Sequence, residues 1–322
     1  MKFGLLSYEF KDHFNIGDYV QSIAARQFLP QIDLFLNREK LNEYSGEKVK
    51  LIMNGWFMFH PENWPPAKNI IPLFVAFHIN PKYANTMLEK DKVEYFKRYA
   101  PIGCRDAQTQ SALESHGVPA WNSGCLTLTL GKTYKWSPNP EMPILVVDAL
   151  FKAPTFYSCF KSFNAFHKSL LSGKIFKIGK KKKILRRILS KTNLPIQELS
   201  CDFPAKAYPT PEQRIALADT MLKTYSQAPL VITSRIHVAL PCLAMGTPVI
   251  FVDGSLEKET ERARIGEFLP YFNLISINQK DEISANFNLN VSLTELRNTN
   301  DAWRQKAKKI ATICETFAKS EQ

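Results

Sequence analysis

No stretch of this 322-residue chain is apolar for long enough to cross a bilayer; even Val231 to Val252 is broken by Arg235, His237 and two prolines. The first residues, Met1 to Tyr8, hold an apolar run far shorter than a signal-peptide core, and Glu9, Lys11 and Asp12 follow at once. The expectation is a cytoplasmic protein. Cysteine is sparse, and Cys104, Cys125, Cys159, Cys201, Cys242 and Cys314 form neither a CxxC pair nor a Cys/His cluster at metal spacing. They are expected to be reduced structural thiols, with no metal and no cofactor. Acidic residues are nearly missing from residues 151–200, where twelve Lys or Arg face Glu198 alone, so this one segment carries +11 of the net +12. The rest of the chain is close to neutral, which argues against a basic nucleic-acid-binding face.

What is present describes a folded α/β protein. A hydrophobic fraction of 45% with 12% aromatic residues is that of an ordinary globular chain. A chain of this length exceeds the usual size of one core, so two domains are expected, 1–135 and 136–322, with Gly131 to Met142 as a proline-bearing linker. Strand-like runs at Lys2 to Tyr8, Ile32 to Leu36, Val49 to Met53 and Leu73 to Ile79 alternate with helical stretches at Asp18 to Leu29, Ala84 to Tyr99 and Ala107 to Ser115. A short extended piece is expected across Trp121 to Leu130. In the second half the strands are Pro143 to Leu150, Ile196 to Cys201, Leu230 to Thr233, Thr247 to Val252 and Asn273 to Ile277. Thr210-Pro211-Glu212-Gln213 opens a long helix to about Ser226, and a last helix ends near Lys319, where it can pack back on the first half. The pattern predicts doubly wound sheets with ligands at the carboxyl ends of strands.

Residues 151–195 form a basic insertion. Phe160, Phe163, Phe166, Leu170 and Leu171, then Ile184 to Leu189, recur at helical spacing beside lysines and arginines. Residues 160–191 could therefore lie on an anionic membrane, and a solvated loop is the competing reading. No RNA-binding motif accompanies the lysines.

The chemistry-bearing stretch is Thr233-Ser234-Arg235-Ile236-His237, where a buried strand runs straight into a helix. Thr233 or Ser234 can cap that helix, and Pro241 is expected near its first turn. The free N–H groups of the helix start favour a phosphate or carboxylate. Arg235 supplies a planar fork for an oxyanion, and His237 can exchange a proton near neutral pH. The bland alternative pairs Arg235 with a carboxylate between domains. Asn15-Ile16-Gly17-Asp18 repeats the arrangement in the first half, with Asp18 as expected cap and Gln21 three residues on, or it is a plain capped turn. Asn54-Gly55-Trp56-Phe57 reads as a glycine turn behind a strand, and Asp106 as the cap of the Ala107 helix, with Arg105 aimed at the cleft or held in an ion pair. Trp56, Phe57, Trp64 and Trp121 could stack on a hexose, although Trp56 and Phe57 could equally be core.

These stretches, in this order, together with Gly246-Thr247-Pro248-Val249-Ile250, resemble the polysaccharide pyruvyl transferases over residues 15–252. The resemblance implies a fold like that of GT-B glycosyltransferases, with two Rossmann-like domains facing a cleft. It implies phosphoenolpyruvate as co-substrate and transfer of its pyruvyl group to two hydroxyls of one sugar, giving a cyclic ketal. It implies that Arg105, Arg235 and His237 contact the donor; Ser234 and Ile236 of the same turn are expected beside them, with Arg235 and His237 as the catalytic residues and His237 either protonating the donor methylene or deprotonating the incoming hydroxyl. Asn15, Gly17, Asp18, Asn54 and Trp56 fall on the side of the acceptor, a sugar, free or on a lipid-linked oligosaccharide, in bacterial polysaccharide synthesis. The chain departs from the family at Gly124-Cys125, where many members have Asp-Pro, and about twenty residues after the histidine, where Glu257 and Lys258 stand at a usual lysine. Lys258, Arg262 and Arg264 are candidates for the third donor cation, Arg264 first. A nucleotide-sugar glycosyltransferase and a non-catalytic glycan- or phosphate-binding protein are the rival functions.

Overall fold

The computed structural model describes residues 1–160, 162–190, 192–254 and 265–320. Strand β1 (Lys2–Ser7) lies between β3 (Leu34–Asn37) and β4 (Val49–Phe57), and β5 (Ile70–Ile79), β6 (Ile102–Cys104) and β7 (Ala120–Asn122) extend the sheet, all neighbours parallel. The second six-stranded sheet has the order β14-β13-β12-β11-β8-β9. Its strands are β8 (Ile144–Val147), β9 (Ile196–Leu199), β11 (Val231–Thr233), β12 (Val249–Asp253), β13 (Asn273–Ile277) and an antiparallel edge, β14 (Ile283–Ala285). Both sheets reverse direction of growth at their first strand, at β1/β4 and at β8/β11. Those are the places where open α/β sheets leave a crevice.

Helices flank both sheets. They are α1 (Ile16–Arg26), α2 (Ala84–Met87), α3 (Lys90–Arg98) and α4 (Ala107–Glu114), then α5 (Phe156–Phe160), α6 (Phe163–Leu171) and α7 (Lys180–Leu189), and finally α8 (Pro211–Gln227), α9 (Ile236–Met245) and α10 (Trp303–Lys319). Helix α8 starts on a full capping box, with Thr210 accepting from the Gln213 N–H and Gln213 returning a bond to the Thr210 backbone. One apolar core joins the first sheet to α1, α8, α9 and α10, and a second lies on the other face of the second sheet. Helix α10 buries Trp303, Ala307, Ile310 and Cys314, a single stripe at helical spacing. The buried Lys50 ammonium of β4 donates to the Phe317 carbonyl at 2.7 Å, to the Ser320 hydroxyl at 2.8 Å and to the Ser320 carbonyl, fixing the end of α10 on the first sheet. The two halves are also tied by a short ribbon, β2 (His13–Asn15) against β10 (Asp202–Pro204).

Several expected elements take another form. The Ala84 to Tyr99 helix is two helices, α2 and α3, and the stretch after β7 coils into a 3-10 segment, Leu126–Lys132, in place of an extended piece. Strand β4 does not stop at Met53 but runs to Phe57 through a register shift between Met53 and Gly55, so Asn54-Gly55-Trp56 is a bulge inside a strand and not a turn after one. Gly55 meets the need there, with φ at 90°. Within the basic insertion, α7 turns Leu185, Ile188 and Leu189 onto the second sheet, and Lys181 donates to the carbonyls of Gly254 and Ile277. That half of the insertion is core, so its apolar face is not offered to a membrane.

Candidate active site

The carboxyl ends of the two sheets and the first turns of α1 and α9 enclose a cavity of about 270 Å³. Its wall includes Asn15, Asp18, Gln21, Arg38 and Trp56 from the first half, Arg105 beyond β6, and Phe151, Ser234, Arg235, Ile236 and His237 from the second.

The start of α9 is built by hydrogen bonds between strand ends. Thr233 Oγ1 donates to the Val147 carbonyl at 2.7 Å and accepts the Arg235 N–H at 2.9 Å. Ser234 Oγ donates to the Val252 carbonyl at 2.5 Å and accepts the Leu150 N–H at 2.9 Å, so its hydroxyl joins β8, β11 and β12. Neither residue caps α9. The N-cap is Arg235 itself, without a side-chain cap bond, because both hydroxyls are committed to neighbouring strands. Pro241 is the sixth residue of the helix and not near its first turn.

Arg235 Nε binds Asp148 Oδ2 at 2.8 Å, and its guanidinium carbon lies 3.5 Å from the centre of the Phe151 ring. A carboxylate partner therefore exists, but it belongs to the same sheet and orients the arginine within the cavity wall. Asp148 also accepts from the Cys201 N–H at 3.1 Å. Asp148 and Leu150 take the left-handed backbone region, at φ 46° and 57°. Non-glycine residues adopt this when local bonds over-determine them, as the bonds to Cys201, Arg235 and Ser234 do here.

On the facing side Asn15, not Asp18, caps α1, accepting the Gly17 N–H on Oδ1 at 2.8 Å. Asp18 sits inside the first turn and accepts from Gln21 Nε2 at 3.4 Å, while Asn54 Nδ2 donates to the Gln21 carbonyl at 3.0 Å. The two helix starts touch: a Cβ placed on Gly17 would lie 3.1 Å from both Cβ and Nδ1 of His237, and 2.8 Å from Asn15 Oδ1. Gly17 is therefore required by close approach to the histidine of the other half.

Arg105 is 4% exposed and extends from the end of β6, its N–H bonded to the Phe77 carbonyl at 2.8 Å. Its Nε lies 3.8 Å from Asp106 Oδ2, so the arginine is both an ion-pair partner and part of the cavity wall. Asp106 caps α4 through Thr109 and meets His78 Nδ1 at 2.5 Å. Burial pushes the Asp106 carboxyl up, but His78 and Arg105 outweigh it and leave it below the ordinary aspartate range. Cys125 also lines the cavity; burial raises its thiol pKa, and the Thr127 hydroxyl and then Arg105 draw it part of the way back.

Of the four aromatic candidates only Trp56 reaches the cavity. Phe57 and Trp64 are core, and Trp121 lies under the Lys309 ammonium at 3.9 Å. Lys258, Arg262 and Arg264 lie outside the described residues. Among the described residues no group of three or more His, Cys, Asp or Glu side chains could hold a metal ion.

Sequence reasoning missed Arg38, Asp148, Phe151 and Lys152. Arg38 is buried, donates to Glu39 at 2.7 Å and to the Trp56 carbonyl at 3.1 Å, and stacks 4.7 Å from the Trp56 ring centre. A signal was available: Arg38, Arg105 and Asp148 each directly follow a parallel strand, as Ser234 does.

A family model described as polysaccharide pyruvyl transferase matches residues 15–255. No curated protein matches the chain. A solved structure of an uncharacterised Klebsiella pneumoniae protein aligns with 84% of this chain and 92% of its own, at 14% identity and a TM-score of 0.46. The family match takes in both helix starts, the Arg105-Asp106 unit and the strand-to-helix turn at His237, and by it the chain belongs to the polysaccharide pyruvyl transferase family.

Proposed function

We propose that this protein transfers the pyruvyl group of phosphoenolpyruvate to two hydroxyls of one sugar, forming a cyclic ketal during polysaccharide synthesis. The observation that carries the reading is the convergence of Arg105, Arg235 and two helix starts on one cavity, with His237 held against Gly17. Phosphoenolpyruvate bears a phosphate and a carboxylate on three carbons, so a site for it needs cations and free N–H groups from several directions. The two halves, 1–135 and 136–322, are read as Rossmann-like domains in a GT-B-like arrangement, and the matching reversals of strand order support this.

In the proposed reaction His237 delivers a proton to the donor methylene, and a cationic centre develops at the adjoining carbon. A sugar hydroxyl attacks that carbon and its proton returns to His237. The bond from carbon to the bridging phosphate oxygen then breaks, and the second hydroxyl closes the ring, its proton leaving with the inorganic phosphate. Arg105, Arg235 and the first turn of α9 hold the donor, while Arg235 stabilises the departing phosphate charge. Asn15, Asp18, Asn54 and Trp56 are placed to receive the sugar, free or lipid-linked.

The test is incubation with phosphoenolpyruvate and a panel of galactosides, glucosides and mannosamine derivatives, following phosphate release and the mass gain of a pyruvate ketal. Folded protein that releases no phosphate with any acceptor would count against the reading. His237→Ala and Arg235→Ala separate an enzyme, which loses turnover, from a binding protein, which keeps its ligand without His237.

A further inference from the structure

Seven of the large apolar side chains that stand exposed on this protein fall between residues 156 and 176. Phe163 is 80% exposed, Leu171 76% and Phe176 69%, and Phe156 and Tyr157 stand out on the preceding short helix. Helix α6 is the inverse of α7: α7 buries its apolar stripe on the second sheet, whereas α6 turns Phe163, Leu170 and Leu171 outward and buries only Ser169. Three of the aromatic rings pack on one another, Phe156 on Phe160 at 4.4 Å and Phe160 on Phe166 at 5.4 Å, and so join α5 to α6. Lys168 and Lys174, both exposed, lie within the same stretch of chain, and the exposed Lys180 and Lys183 follow on α7.

We infer that residues 156–176 dock the protein on an anionic lipid surface, with the aromatic and leucine side chains in the headgroup region and the exposed lysines of the same stretch on the lipid charges. Charge decides among the occupants that such a patch could take. A second copy of the chain would bring its own segment of twelve basic and one acidic residue against the first, which is repulsive. A single-stranded nucleic acid would use the rings, but Leu170 and Leu171 give no face for base stacking. An anionic bilayer satisfies both halves of the pattern at once.

Position adds to this. Phe151 lies under Arg235 in the cavity wall, and Phe156 begins the patch five residues later. Five residues span at most about 17 Å, so the docked surface holds the cavity close to the membrane. The lipid contact is a property of the insertion and does not depend on the transfer reaction.

The full chain, without substrate, is sedimented with phosphatidylcholine vesicles and with vesicles of phosphatidylcholine mixed with phosphatidylglycerol. Binding is expected only to the mixed vesicles and to weaken as salt is raised. Phe163→Ser with Leu171→Ser, both exposed and so compatible with folding, should weaken vesicle binding about tenfold or more. Lys168→Glu with Lys174→Glu should do the same, and circular dichroism confirms that each variant is folded. Equal binding to both vesicle types, wild-type binding by the Phe163/Leu171 variant, or no vesicle binding with self-association that this variant abolishes, would each overturn the inference. Phosphate release from phosphoenolpyruvate, measured separately with soluble acceptors, reports on the transfer reading alone.

Discussion

Gly17→Ala separates the stability of the fold from the geometry of the site. Gly17 is the second residue of α1, and alanine there should gain about 1 kcal/mol in helix propensity. Against this, the new methyl would stand 2.8 Å from Asn15 Oδ1 and 3.1 Å from Cβ and Nδ1 of His237, closer than side-chain carbons pack. Displacing Asn15 weakens the cap bond to the residue 17 N–H, about 1 kcal/mol, and overpacking costs about 1–3 kcal/mol more. The net loss is therefore about 1–3 kcal/mol, which leaves the protein folded. Relief by movement of His237 of a few tenths of an ångström would misplace the proposed proton donor, and a displacement near 1 Å at a reacting group costs about 10²-fold in rate. The expected variant has a modestly lowered denaturation midpoint and a turnover number reduced about tenfold or more, read by phosphate release at saturating phosphoenolpyruvate. A Gly17→Ala protein with full turnover would refute the argument, because the contact would then not set the position of His237.

Arg105→Lys keeps the charge but loses the planar fork at a nearly fully buried position, so the KM for phosphoenolpyruvate should rise about tenfold or more, equivalent to about 1.4 kcal/mol. Asp106 is held below its ordinary value of 3.8, so its contribution is present above that pH and is lost as pH falls through the lower folded-state value; Asp106→Asn should lower stability at neutral pH and flatten the acid limb of a denaturation series below about pH 4. Lys50→Met, which removes three hydrogen bonds to the end of α10, should cost about 2–3 kcal/mol and raise hydrogen exchange in residues 310–319 before the rest of the chain. Unchanged exchange in that helix would show that its apolar stripe alone docks it.

Strand and helix positions were legible where one local pattern dominated. The buried run Val231–Thr233 leading into Ile236–Met245 and the Thr210-Pro211 start of α8 needed only hydrophobic periodicity and capping chemistry. Local reasoning failed where several residue types could do the same job. Asn15 and Asp18 are both good caps, and the structure uses Asn15 because Asp18 falls within the first turn, beside Gln21. Thr233 and Ser234 could each have capped α9, but neighbouring strands claim both hydroxyls. Val49–Phe57 is expected to end early because Asn54-Gly55 has turn composition, yet β5 stays paired with it beyond the register shift, at Gly55, Trp56 and Phe57, and carries the strand through.

The candidate site divides in the same way. The sequence by itself determined that Arg105, Arg235 and His237 stand at strand ends and helix starts, because a buried strand followed at once by a helix leaves no other place for them. Only the tertiary structure decided that the two helix starts meet, with Gly17 against His237, that Phe151 and Arg38 belong to the same wall, and that Asp148 holds Arg235 there. It also decided that the basic insertion divides, α7 turning its apolar stripe into the core and α6 turning its stripe outward. Both stripes have the same helical spacing in sequence. Which one is buried depends on what lies opposite, and that is set by contacts between residues far apart along the chain.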